Sequence, residues 1–456
     1  PCRFRTTSEV RVGPWRVEGT RVERPAEGAH SLRFELVATG DLSLAEAIGS
    51  LRPRFFVGGS EAMHLVAHVL AHTARAELAV EDEASPVALG EVAPFGTRAE
   101  HALAPEPDGP HTGMSLLREY FLLPEKFSFF ALGGLAAALR SSSARRATVS
   151  LTFDEPLPAP VIAPVVRAHC VAAVNLFAAS AEPWVFEPGR SSAAVRVAGL
   201  RREEAGVYAV AGVRALARDE EDSQPSDLPP VRRFAATRVS ADFPYGYSTK
   251  LAPVGQGGEP EVVLCLTVPR GHTPSMAAHV VSADLLATNR ARAGRLRPGE
   301  LCEPGRGIPP GVQVRNITST SPYVPAPEAT ELALQVAVHA AVPDGDPLFA
   351  LRSRLLALVP RRALDAASVR AHVTRIRSLE GLQVVTALDR AQARRGYEAR
   401  LTIDETPFAG LGDVALFVRL LSIALEAQVS IGHFVRCTAR CTKSSARIIW
   451  PPESRT

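Results

Sequence analysis

Apolar and polar residues alternate along the first sixty positions. Val10-Arg11-Val12, Trp15-Arg16-Val17, Leu32-Arg33-Phe34-Glu35-Leu36 and Phe55-Phe56-Val57 are separated by Gly, Pro and Asp. A period of two bounded by turn formers predicts half-buried antiparallel strands. After Gly58-Gly59-Ser60 the period lengthens, and Glu61–Ala79 reads as one helix capped by Ser60. Strand and turn character returns over Val80–Phe95, and Pro105–Pro110 reads as a loop. The stretch from Leu116 to Leu132 then holds four of the chain's 18 phenylalanines and one of its 6 tyrosines. Met114–Leu122 is expected to make about two helical turns. Pro124 blocks their continuation, since proline lacks an N–H and turns the preceding residue away from helical geometry. Phe127, Phe129 and Phe130 are therefore expected on an extended segment. Aromatic side chains dominate cores, so the cluster reads as a packed knot with Arg118, Glu119, Glu125 and Lys126 as its solvated edge. Arg146–Phe153 is a strand that closes the first unit.

Pro156, Pro158, Pro160 and Pro164 mark a stiff connector. A short helix or turn near Ala168–Phe177 follows, then strands at Trp184–Phe186, Ala194–Val197, Val207–Val213, Glu261–Val268 and His279–Leu286. An acidic, proline-bearing loop over 218–230 interrupts them and is expected to be mobile. Pro298–Gly311 is a further cluster of turns. From Glu328 the pattern changes. Glu328–Val342, Leu348–Val359 and Asp413–Ala427 have helical periodicity, and Ser378–Ala387, Tyr397–Ile403, Val429–Cys437 and Ala446–Trp450 have that of strands. Phe408, Leu411, Phe417 and Leu421 on this tail read as its core, with a self-association surface as the alternative. The fold expected is multidomain α+β. A β-rich domain over 1–157 carries helix 61–79 and the aromatic stretch 116–132. A second β-rich domain covers 158–325, and an α+β domain covers 326–456, the front sheets being antiparallel and sandwich-like.

Composition adds little to this outline. The 456 residues are 46% hydrophobic and 22% charged, and 51 basic against 48 acidic side chains leave a net charge of +3. Those are globular values, with no general pull toward nucleic acid or membrane. No apolar run reaches the roughly 18 residues of a membrane span. The chain opens on Pro1, and Arg3-Phe4-Arg5-Thr6-Thr7 reads as the inside of a strand, so it is read as a fragment lacking an N-terminal part. Cys2, Cys170, Cys265, Cys302, Cys437 and Cys441 are scattered and read as free thiols of a reducing compartment. Cys437-x-x-x-Cys441 has no second pair to complete a zinc site.

Catalytic motifs are absent: no phosphate loop, no dinucleotide fingerprint after a strand, and no nucleophile elbow. Gly255-Gln256-Gly257-Gly258 lacks a basic partner for phosphate, and Asp344-Gly345-Asp346 lies between Pro343 and Pro347 as a turn. His64, His68 and His72 share one helical face, the single arrangement with metal-ligand spacing. A zinc-dependent hydrolase is the activity they would support. No Glu adjoins His64 as a base, and a half-buried structural face is the preferred reading. Glu203-Glu204 and Asp404-Glu405 read as solvated carboxylates. The residues themselves predict no catalytic residue, no cofactor and no metal.

One ordered set of residues does more. Leu116, Leu117, Glu119, Tyr120, Phe121, Pro124, Glu125, Lys126, Phe127, Phe129, Phe130 and Leu132 resemble a segment that marks the TssF family, baseplate subunits of bacterial type VI secretion systems. Leu123 departs from it, where Phe is usual. Cys170 with Val174-Asn175-Leu176-Phe177, then Ala181-Glu182-Pro183, Leu286-Ala287-Thr288-Asn289-Arg290, Asn316-Ile317-Thr318, Val429-Ser430-Ile431 with Phe434, and Trp450-Pro451-Pro452 follow in the family's order. Val171–Ala173 and Gly432-His433 depart from it. The resemblance implies a structural, non-catalytic subunit similar to wedge proteins of contractile phage-tail baseplates. In such a wedge two TssF copies join one TssG, and TssK links them onward to the membrane complex. Wedges surround the spike hub and seed the sheath. The resemblance also implies a cytoplasmic protein recruited to the inner membrane without inserting into it, and no nucleic-acid partner. The resemblance implies a further, largely helical segment at the start of members, and this chain is read as a fragment without it. A wedge protein of a related contractile injection device or phage tail is the nearest alternative.

Overall fold

A computed structural model of the chain describes residues 2–49, 51–59, 61–81, 85–98, 101–103, 112–157, 161–186, 191–217, 225–231, 239, 244–252, 259–269, 279–305, 307–323, 347–357, 371, 373–389, 392–427, 429 and 433–449. They form two compact units. The first is assembled from Thr6–Ala172 and the described residues from Pro347 onward, and the second from the chain's first five residues and the stretch beginning at Ala173. In sequence, the second interrupts the first.

The first unit begins with nine strands: β1 (Trp15–Glu23), β2 (Ser31–Ala38), β3 (Arg54–Gly58), β4 (Thr73–Val80), β5 (Val87–Ala88), β6 (Val92–Pro94), β7 (Phe129–Leu132), β8 (Arg146–Phe153) and β9 (Val165–Arg167). Helices α1 (Leu44–Ile48), α2 (Ala62–His72), α3 (Thr112–Leu122) and α4 (Leu135–Ala138) lie between them. One antiparallel sheet has the order β1-β2-β8-β4-β5 and a second the order β9-β3-β7-β6. Alternation decides which side of each strand is buried. On β8, Ala147, Val149, Leu151 and Phe153 point inward while the residues between them stay nearer solvent. The two sheets share one core. Phe34 of β2 lies 5.0 Å from Phe55 of β3, and Phe55 lies 5.5 Å from Phe130 of β7, all three fully buried.

Three local expectations differ from this arrangement. Helix α2 ends at His72 rather than continuing to residue 79, and Thr73–Val80 is strand β4. Ala76, Leu78 and Val80 alternate inward, and pairing from Arg75↔Thr152 to Val80↔Ala147 supplies the ladder bonds that a continued helix would have made locally. Ala-rich sequence fits either period, and burial against β8 decides. The predicted cap, Ser60, lies outside the described residues; Glu61 stands at the N-cap, and its side chain makes no capping hydrogen bond to the helix. Val10–Val12 forms no strand. Pro124 opens a 3₁₀ turn over Pro124–Phe127, so Phe127 sits in that turn and the extended segment starts at Phe129.

The second unit is a β-sandwich. Its strands are β10 (Phe177–Ser180), β11 (Trp184–Phe186), β12 (Ser192–Ala194), β13 (Gly206–Ala217), β14 (Ser226–Leu228), β15 (Gly246–Ala252), β16 (Glu261–Thr267) and β17 (His279–Thr288). One sheet is β10-β17-β13-β14, with β11 also on β17, and the other is β12-β16-β15. Val213, Val281 and Leu285 of one meet Leu264 and Leu266 of the other in its core. No helix forms near Ala168–Phe177. Of the loop expected over 218–230, Ser226–Leu228 is instead strand β14, paired through Val213↔Leu228, and 218–224 lie outside the described residues.

The tail returns to the first unit. It contributes α5 (Pro347–Leu356), β18 (Ile376–Asp389), β19 (Gln392–Ile403), α6 (Leu411–Glu426), β20 (Phe434–Cys441) and β21 (Arg447–Ile449). The sheet order is β18-β19-β20-β21. β18 and β19 form an antiparallel hairpin, whereas β19 and β20 run parallel and need the α6 crossover to connect them. Ser422 on α6 donates its hydroxyl to the Val435 carbonyl at 2.7 Å. Phe408, Phe417 and Leu421 are core, as preferred, while Leu411 is 42% exposed. The helix expected over 328–342 lies outside the described residues.

Candidate functional site

Helix α6 packs across both α2 and α3, and the aromatic stretch lies at this crossing. Leu116, Leu117 and Tyr120 on α3, Phe127 in the turn, and Phe129, Phe130 and Leu132 on β7 are all buried. The Tyr120 hydroxyl donates to Asp413 Oδ1 at 2.6 Å, and Asp413 Oδ2 accepts from the Ala409 N–H at 2.9 Å. The carboxylate is held from both sides in the first turn of α6, where a negative charge is favoured. Burial and, after it, the Asp413 charge push the Tyr120 phenol well above its ordinary pKa. The Tyr120 and Phe121 rings lie 5.8 and 6.2 Å from that of Phe417.

Two of the four charges expected on a solvated edge are inside. Glu119 and Lys126 are 4% and 3% exposed and form an ion pair. The 3₁₀ turn brings residue 126 back beside α3, and the Leu103 N–H donates to the other Glu119 oxygen at 2.7 Å. Burial lowers the Lys126 pKa, with the Glu119 charge opposing it. Glu125 and Pro124 are exposed, and Arg118 is half-buried.

The three histidines of α2 have different surroundings. His64 lies against Gly410, where an added Cβ would overlap its ring. His68 is buried, with Nε2 3.2 Å from the Glu155 carbonyl and its ring edge-on to Phe153 at 4.7 Å. Burial, then the neighbouring His72, lowers its pKa to about 4. His72 faces Asp154, Nδ1 to Oδ1 3.1 Å. Among the described residues, no three His, Cys, Asp or Glu side chains are grouped to hold a metal ion.

In the second unit, two distant segments named from the family motif meet. Asn175, Thr288 and Asn289 share one hydrogen-bonded network although Asn175 is 114 positions from Asn289. Arg290 pairs with Glu259 at 3.4 Å, and Leu176 and Phe177 are buried beside them. Asn316 ties its own loop, accepting from the Leu301 N–H and donating to the Arg297 carbonyl, both at 2.9 Å. Trp450 and Pro451 lie outside the described residues. Sequence reasoning missed Asp413, Gly410 and Gly412. The one local signal was Asp413 just after Gly-Leu-Gly, an acidic residue at a helix start.

The helix crossing and the asparagine network offer packing and anchoring. Large apolar side chains also reach solvent on the first unit: Ile162 at 80%, Phe349 at 70% and Val384 at 62% exposure. No helix among the described residues is long and apolar enough to cross a membrane.

A family model described as "Type VI secretion system, TssF" matches residues 1–456. Among solved structures, the fold is similar to a chain of the type VI secretion system TssK-TssF-TssG baseplate subcomplex determined by cryo-electron microscopy. That likeness has a TM-score of 0.79 at 20% identity and covers 100% of this chain and 84% of the other. A chain from a baseplate complex of the type VI secretion system is similar at a TM-score of 0.61 and 18% identity, covering 99% and 78%. No curated protein matches in sequence. With a family match that runs from the first residue to the last, and with the aromatic stretch and the asparagine network as its two structural knots, the chain belongs to the TssF family of the type VI secretion system.

Proposed function

We propose that this chain is a structural subunit of a type VI baseplate wedge, joining TssG and a second copy of itself, with TssK connecting the wedge onward. The observation that carries the reading is similarity along the whole chain to a subunit solved within a TssK-TssF-TssG subcomplex. In this reading the wedge surrounds the spike and seeds the sheath, and no catalysis is involved. The subunit works in the cytoplasm and reaches the inner membrane through the assembled baseplate, without a span of its own. The residues named from the family motif act as framework: they fix the knots on which partner-binding surfaces are held.

The test is co-expression of the full-length protein with the TssG encoded beside it, followed by pull-down and mass determination of the complex. The expected product contains two copies of this chain per TssG, and it captures TssK when that is added. Failure of the two proteins to co-purify, with about one zinc per chain in the purified protein, would overturn the reading in favour of metal chemistry on α2.

A further inference from the structure

The chain's first residues belong to the second unit, where Arg5 lies in a short strand paired with Ala173–Val174, and two asparagines that the sequence singled out hold Arg3. Asn289 Oδ1 accepts from the Arg3 N–H at 2.8 Å, and Asn175 Nδ2 donates to the Arg3 carbonyl at 2.7 Å. Asn175 Nδ2 also donates to Asn289 Oδ1 at 2.9 Å. Both backbone groups of one residue are thus satisfied by side-chain amides, as an adjacent strand would satisfy them in a hydrogen-bonded pair.

The orientation of each amide is forced by its other contacts. Asn175 Oδ1 accepts from the Thr288 hydroxyl at 2.9 Å and from the Asn289 N–H at 2.7 Å, which turns its Nδ2 toward Arg3. Asn289 Nδ2 donates to the Glu204 carbonyl at 3.3 Å, which turns its Oδ1 the same way. Arg290, in the left-handed region at φ 53°, returns its N–H to the Thr288 hydroxyl at 3.2 Å and keeps that oxygen in place. Asn289 is 5% exposed, and an amide left unmatched there would be costly. By contrast the Arg3 side chain is exposed, and its guanidinium carbon stands 5.5 Å from the Phe177 ring centroid.

We propose that Asn175 and Asn289 form a backbone clamp that fastens the strap Cys2–Arg5 to the second unit by reading the main chain of residue 3 rather than its side chain. Thr288 is the positioning residue of the clamp. Because the clamp engages one N–H and one C=O together, it fixes the register of the strap, and a slip of one residue would turn every strap side chain over. Position 3 then accepts any residue except proline. The clamp stands independently of the partners proposed above.

The test is the rate of chymotryptic cleavage after Phe4 in the full chain, followed by mass spectrometry, with the melting temperature measured alongside. Arg3→Ala is expected to leave the rate within about twofold of the parent. Asn175→Ala and Arg3→Pro are each expected to raise it about tenfold, the factor that corresponds to 1.4 kcal/mol. Asn289→Ala also frees the Glu204 carbonyl, so Arg3→Pro, which removes one N–H and leaves the sandwich intact, decides where that variant fails to fold. Unchanged cleavage in both Asn175→Ala and Arg3→Pro would overturn the clamp. So would release by Arg3→Ala as large as that by Asn175→Ala, which would assign the fastening to the side chain.

Discussion

Tyr120 on α3 and Asp413 on α6 share a buried hydrogen bond of 2.6 Å across 293 positions of sequence. The bond closes the helix crossing on which the aromatic stretch rests. Tyr120→Phe keeps the ring against Phe417 and removes this donor from a carboxylate that is 7% exposed. A loss of about 1–3 kcal/mol is expected, the cost of stranding a buried acceptor. Urea unfolding of the two proteins measures it, and equal midpoints and slopes would show that the bond contributes nothing.

The Glu119–Lys126 pair gives a sharper contrast. Removing one partner leaves a charge in a site with almost no solvent, so Lys126→Met is expected to cost about 3–5 kcal/mol. Adding Glu119→Leu removes the orphaned charge, and the double variant is expected to recover most of that loss, although the Leu103 N–H then needs a new partner. A double-mutant cycle from chemical denaturation reads the coupling. Additive single effects would mean that the two charges do not depend on each other.

Gly412 tests packing against propensity. Alanine is favoured over glycine inside a helix by about 0.8–1 kcal/mol, so in open space Gly412→Ala would stabilise α6. An added Cβ would instead lie 2.5 Å from the Ala67 Cβ and 2.9 Å from the Met63 carbonyl on α2. Overpacking of that kind typically costs about 1–3 kcal/mol, so the net expectation is a lowered melting temperature. Ala67→Gly in the same background should restore part of it. A raised melting temperature for Gly412→Ala would show that the two helices separate readily.

His68 makes stability depend on pH in a defined window. Its ordinary value of 6.5 falls to about 4 in the folded chain, through burial first and the adjacent His72 second. Between those values the unfolded chain binds a proton that the folded chain refuses. Stability contributed by the neutral ring is therefore full above pH 6.5 and lost progressively as the pH falls toward 4. His68→Gln, which can still donate to the Glu155 carbonyl, should flatten the dependence of melting temperature on pH over that range. Parallel curves for the two proteins would assign the dependence to other groups.

Much of the framework was legible because period-two alternation needs only neighbouring residues. Strand β8 occupies the residues read from the pattern, and the long apolar helix of the tail is within a residue or two of its expected limits. What escaped was whatever depends on a distant partner. Residues 73–80 could continue a helix until β8 offers them a ladder. Glu119 and Lys126 look like a solvated edge because periodicity does not reveal the 3₁₀ turn over Pro124–Phe127 that folds Lys126 back onto α3. Asp404 and Glu405 were read the same way, yet Arg375 and Arg377 hold Asp404 at 2.8 and 3.0 Å. Glu405 accepts the Thr442, Lys443 and Ser444 N–H groups. Burial resists its ionisation, but the backbone bonds from Ser444, its own N–H and Lys443, with the Ser444 side chain, outweigh it and bring the carboxyl down to about 2. The asparagine network was visible only as short matches far apart, and nothing in their spacing says that they touch.

The α3–α6 crossing also sets a schedule. Tyr120 leaves the ribosome long before Asp413 exists, and at roughly 5–20 residues per second the intervening 293 positions take about 15–60 seconds to synthesise. Throughout that interval the Tyr120 and Phe121 rings lack the Phe417 surface against which they finally pack. The front of the first unit must therefore wait, half-covered, while an entire second unit is made. Until the tail is made, the surface of the nascent chain that stays uncovered is the aromatic stretch around Tyr120 and Phe121.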